Sequence, residues 1–152
     1  MPPPRTPWSV RIATAALVVF AATQTAITVR VASAGQVGWA QVVFAVLLFV
    51  LLLAGFVRGS RLAWLWGRFL GFVLAAAVVA FTIATWRGTP AQAKAVLLLG
   101  FAAPLVAMAV ALGRPAAYAW FHLVCPDCGK RTGRGADLLY RQVRCRSCGK
   151  VF

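Results

Sequence analysis

Residues 12–29, 37–57, 69–86 and 95–112 contain no Asp, Glu, Lys, Arg or His, in uncharged runs of 18, 21, 18 and 18. Within them apolar side chains follow one another without the alternation that a barrel strand needs to set lipid on one face and a lumen on the other. Such runs read as helices, because a helix satisfies its own N–H and C=O groups where no water reaches them. Each meets the roughly 18–20 residues that cross about 30 Å of hydrocarbon at about 1.5 Å rise per residue. The pattern predicts four membrane spans. Pro104 lies inside the fourth and predicts a kink, since proline removes one backbone donor. The polar side chains Thr23, Gln24, Thr25, Thr28, Thr82 and Thr85 are expected to hydrogen-bond between helices.

The positions between the runs predict an orientation. Arg5 and Arg11 precede the first span; Arg58, Arg61 and Arg68 fall around the connection from second to third; Arg114, Lys130, Arg131, Arg134, Arg141, Arg144, Arg146 and Lys150 follow the fourth. Only Arg30, Arg87 and Lys94 fall on the other side. Basic flanks stay cytosolic, so both termini are expected in the cytosol. A secretory signal is a rival reading of the start, from Arg5, Arg11, an apolar run and the sequence ASAG at 32–35. That run is longer than the usual 7–15-residue core of a signal, and Arg30 stands between it and the cleavage site.

The opening MPPPRTP predicts an unstructured arm over residues 1–10. In RGSRLAWLWGR, arginines surround Trp64 and Trp66, as in a headgroup-level aromatic belt. Arg11, Leu17, Thr25, Thr28 and Arg30 recur 57 residues later as Arg68, Leu74, Thr82, Thr85 and Arg87. This weak echo would suit a bundle built from two similar hairpins.

Composition agrees with lipid burial. The 152 residues are 62% hydrophobic and 12% charged, against about 45–50% and 25% for soluble domains. The chain has 16 Lys and Arg but only two acids, Asp127 and Asp137, and neither acid lies in a span. Ion-coupled transport usually relies on buried ionisable groups, and a metalloprotease-type site needs a motif such as H-E-x-x-H; neither occurs. No catalytic residue is assigned, and the protein is expected not to be an enzyme. His122, the sole histidine, is read as interfacial.

The chemistry-bearing stretch is CPDCGKRTGRGADLLYRQVRCRSCGK, residues 125–150. Two C-x-x-C pairs, Cys125/Cys128 and Cys145/Cys148, stand sixteen residues apart, within the C-x₂-C-x₁₅₋₂₀-C-x₂-C spacing of a zinc site. A tetrahedral Zn²⁺ takes four thiolates at about 2.3 Å, and a two-residue gap lets one tight turn aim two sulfurs at one point. Gly129 and Gly149 follow the second cysteine of each pair and can take the positive φ that carries the chain away.

CPDCGK and CRSCGK resemble the two knuckles of a zinc ribbon, and the spans resemble in pattern those of small four-span bacterial membrane proteins. The resemblance covers residues 125–152 and implies a three-stranded antiparallel fold with one structural Zn²⁺ at the hairpin tips; LLYRQVRC suits a ribbon strand. It implies no partner. A disulfide is disfavoured in a reducing cytosol, and a thioredoxin-like pair lacks its βαβ context. A rubredoxin-like iron site remains an alternative.

The expectation is an all-α membrane protein with four transmembrane helices in 11–114 and a small C-terminal β zinc ribbon, integral to a bacterial plasma membrane. Residues 125–152 carry seven basic and two acidic side chains, +5, or +3 with four thiolates on Zn²⁺. Lys130, Arg131, Arg134, Arg141, Arg144 and Arg146 are candidates to meet anionic membrane lipid or an acidic protein partner. Nucleic acid is a weaker candidate, since only Tyr140 and Phe152 offer rings for stacking. The functional expectation is a docking module, with a small carrier or channel as alternative; no small-molecule substrate is legible.

Overall fold

The computed structural model of the protein describes residues 6–88, 90–132 and 142–152. Four of its helices are long and apolar enough to cross a membrane. They are α1 (Trp8–Ser33), α2 (Trp39–Arg58), α3 (Arg61–Ala84) and a composite fourth span, Ala91–Leu112. That span comprises α4 (Ala91–Ala95), a π-helical segment (Val96–Ala102) and α5 (Ala103–Leu112). A short α6 (Pro115–Trp120) follows. The fourth span packs on α1 and α3, and α2 packs on the same two helices from the other side. The four passes form a ring of antiparallel neighbours, with both chain ends and the α2–α3 turn at one end of the bundle.

Helix α1 begins at Trp8, inside the segment expected to be an arm through residue 10. Val10 is almost wholly buried and belongs to the core, so burial draws the chain into helix as soon as Pro7 has passed. Outward faces carry exposed Val, Leu and Phe, among them Val43, Leu47, Val50 and Leu51 of α2. This is the distribution of a bundle whose outer solvent is hydrocarbon.

Small residues set the helix spacing. Ala63, Gly67, Gly71 and Ala75 recur every fourth position of α3 and are all buried, which places them on one face. A Cβ at Gly67 would lie 2.6 Å from the Phe56 ring, and one at Gly71 would lie 3.0 Å from the Leu105 carbonyl oxygen. Close backbone approach of this kind is how helices associate where lipid gives them no hydrophobic drive.

One expectation changes, and the surroundings of Pro104 take a definite form. The hydroxyls of Thr23, Thr28, Thr82 and Thr85 donate to the carbonyls of Val19, Gln24, Val78 and Phe81 in their own helices, and Gln24 Nε2 donates to Thr28. A threonine in a helix reaches the carbonyl four residues back without a neighbouring helix, so these contacts stitch within the spans. Around Pro104 the fold uses a π segment in which the Ala103 N–H bonds the Leu98 carbonyl five residues back. Proline has no N–H to give and crowds the carbonyl four residues earlier; the wider turn just before it absorbs both effects.

Helix α2 ends on Gly59 at φ 70°, with the Ser60 N–H on the Gly55 carbonyl at 2.8 Å and the Gly59 N–H on Phe56 at 3.2 Å. This Schellman closure makes a two-residue turn into α3. A Cβ on Gly59 would stand 2.7 Å from the Trp120 carbonyl oxygen, so the turn is also the seat of α6.

Candidate metal centre

The site starts from α6. Arg114 precedes it in extended conformation, and Pro115 occupies its first turn, where proline's fixed φ and missing donor cost nothing. Ala117 and Phe121 are fully buried against the bundle end. Phe121 meets the ring of Phe56 edge-on at 6.0 Å, and Trp120 Nε1 donates to the Phe56 carbonyl at 2.9 Å. From α3, Trp64 Nε1 donates to the Leu112 carbonyl at 2.9 Å and Arg68 Nη1 donates to the Tyr118 hydroxyl at 2.9 Å. The Trp64 ring also meets Tyr118 at 5.7 Å. Trp64, expected in an aromatic belt, is therefore a clasp, whereas Trp66 is half exposed.

His122 then reverses the chain at φ 53°. The Leu123 N–H bonds the Tyr118 carbonyl at 2.9 Å and the His122 N–H bonds Ala119 at 3.1 Å, a helix-ending closure in which histidine takes the left-handed place usually given to glycine. Its ring stacks on Phe152 at 6.0 Å, and Thr132 Oγ1 donates to its carbonyl at 2.8 Å. Burial lowers the His122 pKa, favouring neutral imidazole.

Two matching knuckles follow. In the first, the Cys125 N–H bonds the Lys130 carbonyl at 3.0 Å and the Gly129 N–H bonds Cys125 at 3.0 Å; in the second, Cys145 bonds Lys150 at 2.7 Å and Gly149 bonds Cys145 at 2.9 Å. Gly129 and Gly149 stand at φ 66° and 76°. Each knuckle is closed by one antiparallel bridge, Val124 with Arg131 and Arg144 with Val151. No longer strand occurs among the described residues, and the first half of LLYRQVRC, residues 138–141, lies outside them.

All four sulfurs lie within 4.8 Å of one another. Cys125 and Cys148 are 3.6 Å apart, as are Cys128 and Cys145, and all four are free thiols. A tetrahedron with metal–sulfur bonds of about 2.3 Å has edges of about 3.8 Å. The donor set therefore fits one tetrahedral thiophilic ion, with Cys125 and Cys145 buried beneath it and Cys128 and Cys148 toward solvent.

The thiols do not share their protons evenly. The amides of Cys148 and Ser147 point at the Cys145 sulfur and lower its pKa to about 6. The Lys150 amide acts to lower Cys148, but the thiols of Cys145 and Cys125 outweigh it and the pKa rises to about 12. An arriving dication takes the place of the remaining protons.

Four of the six expected basic residues fall among the described residues. The Arg131 guanidinium lies over the Tyr118 ring at 5.6 Å, turned toward the bundle. Arg144 Nε donates to the Gly149 carbonyl at 3.3 Å in its own knuckle, and Lys130, Arg131, Arg144 and Arg146 are all exposed. Arg134 and Arg141, with Asp137 and Tyr140, lie outside the described residues. Lys150 Nζ pairs with Asp127 at 2.6 Å and ties one knuckle to the other; that contact raises the Lys150 pKa. Sequence reasoning passed over Gly59, Tyr118, Trp120 and Phe121 and read Arg68 only as a basic flank; together these residues hold the module in place. A signal was present in RPAAYAWFH, a proline start followed by apolar residues four apart. Comparison with family models, with curated proteins and with solved structures gave no match to this chain.

Proposed function

We propose that this protein is a non-enzymatic four-span membrane protein that holds one structural Zn²⁺ in a zinc-ribbon module and presents it at the cytosolic membrane surface for docking. The observation that carries the reading is the convergence of four thiols within 4.8 Å on a segment clamped to one end of the bundle. Four thiolates fill a tetrahedron, which leaves a substrate no coordination position. A module this small buries too little surface to fold alone, so the ion supplies folding energy. Cys125, Cys128, Cys145 and Cys148 are its ligands, and Lys130, Arg131, Arg134, Arg141, Arg144 and Arg146 are the basic side chains offered to an acidic partner or an anionic surface. The basic flanks support the cytosolic placement.

The test pairs metal analysis with crosslinking from the tail in intact membranes. Zinc, together with a crosslinked protein that is lost when the four cysteines become serine, supports docking. Visible absorbance from ferric tetrathiolate would replace zinc with iron and the module with an electron carrier. Solute flux in reconstituted vesicles that survives the serine substitutions would move the function to the bundle.

A further inference from the structure

A groove of about 720 Å³ opens between the metal module and the bundle end, within the range of about 300–1,000 Å³ usual for small-molecule sites. Its walls come from Val57 and Arg58 of α2, Ala119 and Trp120 of α6, and His122 and Phe152 beside the knuckles. We propose that this groove binds one anionic phospholipid, with its phosphate on Arg58 and an acyl chain running down the outer face of α2. The inference rests on the four-span reading and is independent of any docking role for the cysteine module.

Three observations point to this occupant. First, Val43, Val50 and Val57 are all exposed and lie seven residues apart, on one face of α2, so an unbroken apolar track leads from hydrocarbon to the groove. Second, Arg58 ends that track at the last turn of α2 and makes no hydrogen bond or ion pair among the described residues. A guanidinium there forms the planar two-point contact that phosphate accepts. Third, the surroundings attract an anion. Arg11, Arg61, Arg68 and Arg114 belong to the same end of the bundle, and Asp127, the only acidic side chain among the described residues, is engaged by Lys150. A free phosphate ion would leave the apolar track and the Ala119–Trp120 wall unused.

The test is native mass spectrometry of the full metal-loaded chain, released from vesicles of equal phosphatidylglycerol and phosphatidylethanolamine. One retained phosphatidylglycerol per chain is expected. Arg58→Gln should lower its retention roughly fivefold, the effect of one basic residue at an anionic lipid surface. Arg87→Gln, at the opposite end, should not. Ala119→Trp fills the groove without changing charge at an exposed position and should also expel the lipid; it keeps the proposal testable if Arg58→Gln fails to fold. Soluble glycerol 3-phosphate should not compete. Equal retention of the two lipids, equal loss in the Arg58 and Arg87 variants, unchanged retention with Ala119→Trp, or displacement by glycerol 3-phosphate would each overturn it.

Discussion

Gly129 and Gly149 hold positive φ with open space where a Cβ would go, so they supply backbone conformation and not room. A side chain there costs about 1–2 kcal/mol. Gly149→Ala should therefore weaken metal binding roughly tenfold, measured by competition with a chromophoric chelator. The thiols make a second prediction. Because the Cys145 pKa is lowered to about 6, its sulfur is mostly thiolate at pH 7 and mostly thiol at pH 5. Metal capture should release about one more proton per ion at pH 5 than at pH 7, readable by calorimetry in buffers of different ionisation enthalpy, and affinity should fall as pH drops. The four converging cysteines were legible because each pair is set by a local turn of fixed length. The fate of Arg131 was not legible, because its partner Tyr118 belongs to another element and only the fold brings them together.

At the scale of elements, the long uncharged runs announced the spans because hydrocarbon demands length and apolarity, both readable in one dimension. Helix α6 escaped because six residues are too few for the spacing in RPAAYAWFH to stand out; its register comes from Phe56, Gly59 and Trp64 on other helices. The small-residue face of α3 lets α2 and the fourth span approach closely. Gly67→Val would push a side chain into the Phe56 ring and should cost about 1–3 kcal/mol as overpacking. Gly88→Ala, with nothing within 4 Å of its Cβ position, should be neutral; thermal unfolding in detergent compares the two. Trp120→Phe removes the donor to the Phe56 carbonyl and should cost about 1 kcal/mol. The hydroxyls of Thr23, Thr28 and Thr82 turn back on their own helices because the carbonyl one turn earlier lies within reach.

For the whole molecule, metal site and membrane bundle form one structure joined through α6. The path runs from the knuckle through Thr132 and His122 to Phe121 and Phe56, with Arg131, Tyr118 and Arg68 beside it. Chelation should raise hydrogen exchange across α6 and the α2–α3 turn while the middle of α3 stays protected, because only the module draws its folding energy from the ion. A flexibly tethered tail would show no change outside residues 125–152. The most direct test is metal and thiol stoichiometry on full-length protein purified without added metal. One zinc per chain is predicted, with all four thiols unreactive until a chelator removes the ion. Metal-free chains whose four cysteines react at once under native conditions would contradict the central claim.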